Sequence, residues 1–225
     1  MNSAHIRTIA ILGGTGNEGK GLAYRFAKAG FRVFIGSRSL EKAQKIAAEL
    51  SERLSENVGL YGISNFEATK KADIIVLTVP YGAHRSTLEA VKDNIKGKIL
   101  IDVTVPLVPP KVTKVHMPPA GSAAQEAREI LGEEVQVTSA FHNISYESLM
   151  HDDKVECDVL VTGTSKEARI ETLKLIAAIG LTGWDAGPIE NSMVTEGLTS
   201  VLIGINKQYG SSSAGIRITG IDVSR

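Results

Sequence analysis

The sequence is poor in three features that mark particular classes of protein: cysteine, an excess of one charge, and long apolar runs. Its single cysteine, Cys157, excludes an internal disulfide and a cysteine-rich zinc site, which fits a reducing cytoplasm. The 25 Lys and Arg residues balance the 25 Asp and Glu residues, which argues against electrostatic binding of nucleic acid. The longest apolar runs, such as Ile74–Leu77, are far shorter than the ~20 residues of a membrane-spanning helix. We therefore expect a cytoplasmic globular protein with neither membrane nor nucleic-acid partners.

Short apolar segments alternate with longer segments of helical periodicity over the first 141 residues. Several of the short segments are apolar at consecutive positions, which is typical of strands buried on both faces of a parallel sheet. This alternation predicts an α/β protein with a Rossmann-type, doubly wound and mostly parallel sheet. The predicted strands are residues 6–12, 31–35, 59–64, 72–79, 98–103 and 135–141, and the predicted helices are residues 18–29, 41–54, 83–95 and 123–131.

The second part of the chain begins after a proline-rich segment and one more strand. Residues 105–120 contain five of the seven prolines, which predicts a long surface loop. We expect residues 1–141 to form the main domain and residues 142–225 a small C-terminal helical lobe that completes the sheet. In this lobe we predict strands at residues 158–162, 182–186 and 216–221, and helices at residues 166–179 and 191–206.

A glycine-rich loop follows the first predicted strand and leads into a helix. It contains Gly14-x-Gly16-x-x-Gly19, in the strand–loop–helix context that dinucleotide-binding proteins use. Glycine allows the tight turn and the close approach of a pyrophosphate, which then meets the helix N-terminus. The residues predicted to hold the dinucleotide here are Gly13, Gly14, Thr15, Gly16, Asn17 and Gly19.

The end of the second predicted strand favours NADP(H) over NAD(H). NAD-binding proteins place an acidic residue there to bond the ribose 2′-hydroxyl, but this sequence has Ser37-Arg38-Ser39. Arg38 can pair with a 2′-phosphate, and the two serines, Thr15 and Lys42 can add hydrogen bonds or charge. The alternative is that Arg38 and Lys42 belong only to a solvated helix start.

The predicted strand at residues 72–79 should also end at the cofactor crevice. Val79 and Pro80 are predicted to line the nicotinamide pocket, although Pro80 could equally be a helix-start proline with no ligand role. Tyr24-x-x-x-Lys28 matches the spacing of a tyrosine–lysine catalytic pair, but it lies on the helix that packs against the sheet. The histidines show no paired metal-ligand spacing, so we predict no metal site.

His142 follows the predicted strand at residues 135–141 and should therefore face the same crevice. There it could position a second substrate or stabilise developing charge. The alternative is a histidine that bonds a loop carbonyl and has only a structural role. No general acid–base pair accompanies it in the sequence, which favours hydride transfer between two planar cofactors over reduction of a ketone or imine.

Four short motifs spread over nearly the whole chain occur together in one known family. They are residues 11–19 (Ile-Leu-Gly-Gly-Thr-Gly-Asn-x-Gly), Gly36-Ser37-Arg38, Ala140-x-His142-x-Ile144 and Gly187-Pro188-x-x-Asn191-Ser192. Together they resemble the coenzyme F420-dependent NADP oxidoreductases. The resemblance implies a homodimer that passes a hydride between NADP(H) and the deazaflavin coenzyme F420.

The resemblance also implies particular residue roles. Thr15, Ser37 and Arg38 would hold the 2′-phosphate, and His142 and Ile144 would contact the deazaflavin, with Thr199 and Met193 nearby.

The sequence differs from the family pattern at two positions on the deazaflavin side. Met193 stands where the family has arginine, and Gly197 stands where it has serine, so a cation and a hydroxyl donor are missing. Two alternatives therefore stay open. One is an NADPH-dependent reductase of a flavin or ferric chelate, and the other is a non-catalytic NADP(H)-binding sensor.

Overall fold

The computed structural model describes residues 8–54, 58–152 and 154–221, in which eight strands form one sheet with helices on both faces. The strands are β1 (Thr8–Leu12), β2 (Arg32–Ser37), β3 (Leu60–Ser64), β4 (Ile74–Leu77), β5 (Ile99–Asp102), β6 (Gln136–Ser139), β7 (Asp158–Gly163) and β8 (Thr182–Pro188). The helices are α1 (Asn17–Lys28), α2 (Leu40–Leu54), α3 (Asn65–Lys71), α4 (Tyr81–Val91), α5 (Ala123–Leu131), α6 (Tyr146–Met150), α7 (Lys166–Ala178) and α8 (Ser192–Tyr209), with short 3-10 turns at Lys92–Asn94 and Ile189–Asn191.

The strand order is β3-β2-β1-β4-β5-β6-β7-β8. The six strands from β3 to β6 run parallel, whereas β7 is antiparallel to β6 and parallel to β8. The mostly parallel, doubly wound sheet is thus confirmed. Since the order reverses between β1 and β4, the carboxyl ends of these two strands border the crevice where such folds bind ligands.

The central strands are buried on both faces because their residues are apolar at consecutive positions. Along β1, Ile9 and Ile11 pack in one hydrophobic cluster, while Ala10 and Leu12 pack in another. Successive side chains of a strand point to opposite faces, so these clusters lie on the two sides of the sheet. The sheet therefore separates two cores and holds β1 rigidly below the glycine loop.

The C-terminal part adds β7, α7 and β8 to the sheet edge and places α8 against α5. The predicted boundary between residues 141 and 142 falls two residues after β6, and the division into two domains stays a prediction. Residues 105–120 contain no helix or strand, as expected from their prolines. None of the helices in the described ranges has the length and hydropathy of a bilayer-spanning segment.

Several predicted elements require correction. The predicted final strand at residues 216–221 is wrong, because this segment has no strand conformation and contacts β7 only at Asp158. Asp158 N donates to Ile216 O (2.8 Å), and Ile218 N donates to Asp158 Oδ2 (2.7 Å). The sequence analysis also missed α3 and the five-residue α6. For α3 a signal existed, since Ser64 caps the helix by accepting from Glu67 N, and Ser-x-x-Glu is a capping-box pattern. The first two residues of the predicted strand at 6–12 lie outside the described residues.

Candidate active site

Two glycines, one in the loop after β1 and one in the first turn of α1, occupy positions that no side chain would fit. Gly13 has a φ of +75°, in the left-handed region, and a Cβ there would lie 2.7 Å from Val79 Cγ1. A Cβ on Gly19 would lie 2.6 Å from Gly14 Cα and 2.7 Å from Thr78 Oγ1, so this glycine lets α1 approach the loop and β4. The loop is held to β2 as well, since Gly14 N donates to Gly36 O (3.0 Å).

Helix α1 begins directly after this loop and has no side-chain cap. Its N-cap is Gly16, which cannot supply an oxygen to the first N–H groups of the helix. Unpaired N–H groups and the positive end of the helix dipole together favour an anion at this position. The glycine loop and the start of α1 therefore have the geometry of a pyrophosphate cradle.

A second group of polar residues extends the cradle from the end of β2 into α2. Ser37 is buried, and its Oγ accepts from Ser39 N (3.2 Å), while Ser39 Oγ accepts from Lys42 N (3.3 Å). These bonds fix the turn that presents Arg38, whose exposed side chain borders the cleft. We call residues 13–19 and 37–42 the glycine-loop end of the cleft.

One cleft of about 1020 Å³ joins the glycine-loop end to the C-terminal part. This volume is at the upper end of the roughly 300–1,000 Å³ of small-molecule pockets. Gly14 and Gly19 are buried under the loop, in packing roles, and do not line the cleft. The predicted residues that do line it are Gly13, Thr15, Gly16, Asn17, Ser37, Arg38, Ser39, Lys42, Val79, Pro80, His142, Ile144 and Thr199.

The residues present fit an NADP dinucleotide at this end. The two constrained glycines keep the loop and α1 close to β4, the uncapped helix faces the cleft, and Arg38 and Lys42 supply cations. No acidic side chain stands at the end of β2 to repel a 2′-phosphate. Pro80 both lines the cleft and forms the N-cap of α4, so its two predicted roles are compatible.

His142 lies at the opposite end of the cleft, three residues after β6. The turn that places it includes Phe141, a buried residue with a φ of +70°. His142 Nε2 lies 3.2 Å from Ser139 Oγ, and Thr199 Oγ1 donates to the backbone oxygen of His142 (2.8 Å). Burial lowers the pKa of His142 to about 4, so its imidazole is neutral at pH 7. We call His142, Ile144 and Thr199 the His142 end of the cleft.

Comparisons with known proteins find relatives that match nearly the full length of the chain. The F420-dependent NADP reductase of Methanocaldococcus jannaschii is 39% identical over 223 residues, covering 96% of this chain and 99% of that protein. The F420-dependent NADP reductase of Methanothermobacter thermautotrophicus is 38% identical over 228 residues and covers 98% of each chain. The family model described as NADP oxidoreductase coenzyme F420-dependent matches residues 8–106. The chain belongs to this family.

Solved structures place the chain in the same fold. A crystal structure from Arthrobacter sp. FB24, assigned to F420-dependent NADP reductases, superposes with a TM-score of 0.79 at 24% identity, covering 95% of this chain and all of that one. An imine reductase from Myxococcus stipitatus in complex with NAD⁺ gives a TM-score of 0.63 at 18% identity, over 91% of this chain and 61% of the other. At these identities the likeness concerns the fold alone.

In this member of the F420-dependent NADP oxidoreductase family, Met193 lies apart from the cleft. It is in the first turn of α8, its side chain is 48% exposed, and it is not among the residues that line the cleft. The predicted contact between Met193 and a second substrate therefore stays without support from the single chain. Tyr24 and Lys28 also lie elsewhere, because both side chains bond Asp152 Oδ1, at 2.8 and 2.6 Å.

The sequence analysis missed a set of buried polar side chains behind the His142 end of this family member. His84 Nε2 and Asp102 Oδ2 lie 2.7 Å apart, and both side chains are almost fully buried. Although burial lowers the pKa of His84, the Asp102 carboxylate outweighs it and raises that pKa overall. Burial raises the pKa of Asp102, but His84 and Thr104 outweigh it and lower the pKa. The two side chains therefore form a buried ion pair.

Glu196 on α8 links this pair to the C-terminal part. Its carboxyl accepts from Ala123 N (2.7 Å) and Ala124 N (3.1 Å) at the start of α5, and it lies 3.4 Å from Ser139 Oγ. Burial first and the Asp102 charge second raise the pKa of Glu196 to about 8. We call His84, Asp102, Ser139, His142 and Glu196 the buried polar network.

In the sequence, members of this network are up to 112 residues apart, counted from His84 to Glu196. No local motif therefore signals it. Within the described part of the chain, no group of His, Cys, Asp and Glu side chains is arranged to hold a metal ion.

Proposed function

We propose that this chain is an NADP-dependent oxidoreductase that transfers a hydride between NADP(H) and the deazaflavin coenzyme F420. The relatives that cover nearly the whole chain carry this activity in their names. The observation that carries the proposal is the continuous cleft, about 1020 Å³ in volume, which joins Arg38 at one end to His142 and Thr199 at the other. A dinucleotide bound at the glycine-loop end would leave the His142 end free for a second planar cofactor.

The proposed roles follow the position of each residue along the cleft. Thr15, Asn17 and the loop glycines would hold the pyrophosphate, and Ser37, Arg38, Ser39 and Lys42 the 2′-phosphate. Val79 and Pro80 would pack against the nicotinamide, whose ring supplies or accepts the hydride when bound. His142, Ile144 and Thr199 would hold the deazaflavin.

The chain's own contribution is positioning and exclusion of water. The hydrogen bond from Thr199 Oγ1 to the His142 backbone oxygen fixes one wall of the cleft. The close packing of Gly13 against Val79, which leaves no space for a Cβ, fixes the other wall. Hydride transfer between two rings requires close, aligned reacting atoms more than it requires a strong acid or base. A neutral His142 can act there as a hydrogen-bonding group that does not repel or attract net charge.

A spectroscopic assay tests this function. Purified protein is mixed with NADPH and oxidised F420, with FMN and a ferric chelate as parallel acceptors, and the absorbance of each is followed. Loss of the F420 absorbance together with oxidation of NADPH is the expected result. NADPH binding without F420 reduction would contradict the proposal.

The second candidate function is reduction of a flavin or ferric chelate by NADPH. It is prompted by Gly197, which provides no hydroxyl group where the family pattern has serine. Gly197 does not line the cleft of the single chain, and a Cβ there would lie 3.2 Å from both Met117 Cε and Val115 Cγ1 of the proline-rich loop. Reduction of FMN or ferric chelate in place of F420 would support this candidate. NADPH binding with no oxidation by any acceptor would support the non-catalytic sensor.

We also propose that the chain forms a homodimer through α8. Val194, Val201 and Ile205 are 68%, 48% and 40% exposed, and their spacing places them on one face of this helix. An apolar helical stripe of this kind is typical of a subunit interface. Sedimentation should give a dimer, and Val201→Glu should shift the equilibrium toward the monomer.

The cytoplasmic location stays a prediction, supported by the single, buried and free Cys157.

A further inference from the structure

Glu18 is an acidic residue in a position where the cleft should hold an anion. It lies in the first turn of α1 and lines the cleft beside the glycine loop. Its Oε1 atom is buried and has no hydrogen-bond partner within the described residues. An ionised carboxylate with a buried and unpaired oxygen is costly, because water that would solvate the charge is excluded.

Among the residues that the structure describes, no cation forms an ion pair with Glu18. Helix α1 packs against β1, β2, α2 and α6. One turn after Glu18, Gly21 packs closely against Leu149 of α6, so this face of α1 is covered. The titratable residues of these elements toward the cleft are Lys20 on α1, Glu41 and Lys42 at the start of α2, and Tyr146 and Glu147 at the start of α6. Arg32 stands at the far end of β2, and β1 has no titratable residue.

None of these groups offsets the burial of Glu18. Burial alone raises the pKa of Glu18 to about 8. At neutral pH the side chain is therefore a neutral carboxylic acid, which has one O–H donor. A charged Glu18 would repel a pyrophosphate at the start of α1, whereas a neutral one can donate a hydrogen bond to it.

We propose that Glu18 binds the dinucleotide as a neutral carboxylic acid and donates a hydrogen bond to an oxygen of the pyrophosphate or of the adjoining ribose. The inference rests on the proposed function, because it takes NADP(H) as the ligand of the cleft. When Glu18 is already protonated, NADP(H) binds without any change in the protonation of this side chain. When Glu18 is ionised, binding takes up one proton.

The consequence is a loss of dinucleotide affinity at alkaline pH. Because the bound anion favours the protonated acid, the affinity falls as the pH rises through the pKa of free Glu18. From pH 7 to pH 9.5 the Kd for NADPH should rise roughly tenfold or more. NADH should show the same ratio, because it has the pyrophosphate but lacks the 2′-phosphate.

The experiment measures the Kd of NADPH and NADH by fluorescence between pH 7 and pH 9.5. Glu18→Gln retains a donor but does not titrate, so it should bind NADPH like the wild type at pH 7 and lose most of the pH dependence. Glu18→Leu removes the donor, so it should bind several-fold more weakly at pH 7, again without the pH dependence. Glu196→Gln removes a different buried carboxyl with a raised pKa and is the matched control, which should retain the fall.

Calorimetry supplies a second readout that does not depend on turnover. At pH 8.5, the heat of NADPH binding in two buffers of different ionisation enthalpy should give proton uptake for the wild type and for Glu196→Gln, but not for Glu18→Gln.

Three results would overturn the inference while NADPH still binds. They are a Kd that does not change with pH, a Glu18→Gln variant that keeps the fall, and a Glu18→Leu variant that binds as tightly as the wild type at pH 7. Absence of NADPH binding at every pH would overturn this inference and the proposed function together. A proton-coupled binding of NADPH without F420 reduction would overturn the proposed function alone.

Discussion

The two ends of the cleft are built in different ways. The glycine-loop end consists of backbone groups and side chains that are close in the sequence, and its cations, Arg38 and Lys42, are exposed. The His142 end rests on a buried polar network whose members come from β5, β6, α4 and α8. From this difference we expect the affinity for the dinucleotide and the stability of the fold to depend on separate residues. Mutations at the first end should alter binding, and mutations behind the second end should alter folding.

The largest expected effect is on the buried ion pair of His84 and Asp102. Asp102→Asn removes one charge and leaves His84 in a buried position without its partner, so we expect the free energy of unfolding to fall by about 3–5 kcal/mol. Denaturant unfolding measures this free energy for the wild type and the variant. Glu49→Gln is the control, because Glu49 and Lys45 form an exposed pair at 3.9 Å, and its loss should cost less than about 1 kcal/mol. Equal decreases in the free energy of unfolding for the two substitutions would show that the buried pair stabilises the fold no more than an exposed one.

The next effect is a pH dependence of stability that arises from Glu196. In the unfolded chain this carboxyl ionises near 4.5, whereas in the folded protein its pKa is about 8. Between these values the folded protein binds more protons, so the free energy of unfolding should decrease as the pH rises from 5 to 8. Glu196→Gln should make this decrease smaller.

Denaturant unfolding at pH 5, 6.5 and 8 tests this slope. Exposed Glu129 on α5 provides the control, since Glu129→Gln should leave the slope of the wild type unchanged. The raised pKa values of Glu18 and His84 act in the same direction, so part of the slope should persist in Glu196→Gln. The lowered pKa of His142 acts in the opposite direction below about pH 6.5, so the decrease should be steeper from pH 6.5 to 8 than from pH 5 to 6.5. Identical slopes for Glu196→Gln and the wild type would contradict the assignment.

A third prediction concerns binding at the glycine-loop end. Arg38→Glu should weaken NADPH binding by roughly 2 kcal/mol or more and NADH binding much less, because a charged contact is replaced by repulsion. The free energy of unfolding should stay within about 0.5 kcal/mol of the wild type, since the side chain is exposed. Arg32→Glu makes the same change of charge at the other end of β2 and should leave the Kd for NADPH unchanged. An unaltered preference for NADPH in Arg38→Glu would show that the 2′-phosphate binds elsewhere.

The smallest effect is expected at His142. His142→Ala should raise KM for the second substrate several-fold, about 1 kcal/mol, with little change in the Kd for NADPH. Steady-state kinetics and NADPH fluorescence measure the two quantities. Exposed His116 lies in the proline-rich loop, and His116→Ala should leave both unchanged. An unchanged KM in His142→Ala would assign His142 a structural role only.

Features built from consecutive residues could be predicted from the sequence, whereas features built from residues far apart in the chain could not. The cradle at Gly13 and Gly19 was predicted because its loop, strand and helix are consecutive in the chain. The capping box at Ser64 and Glu67 was equally local but was overlooked. The final strand was predicted at residues 216–221, yet this segment bonds β7 only at its first residue, through the backbone N–H and the side chain of Asp158, and forms no strand.

The buried polar network was beyond sequence reasoning for a different reason. His84 occurred in the sequence as a histidine without a motif, and Glu196 as an acidic residue on an apolar helix. Their hydrogen-bond partners lie far away in the sequence, since Asp102 is 18 residues from His84 and Ala123 is 73 residues from Glu196. Only the packing of α4 and α8 behind β5 and β6 brings these groups together.

The parallel sheet, the dinucleotide loop and the absence of an acid at the end of β2 could all be predicted from the amino-acid sequence. These follow from consecutive apolar residues, from the spacing of glycines and from the identity of a few neighbouring side chains. The tertiary structure alone decided that Glu18 and Glu196 have pKa values near 8 and that His142 is neutral. The physical reason is that ionisation depends on burial and on the charges nearby, which are properties of the folded chain and not of local sequence.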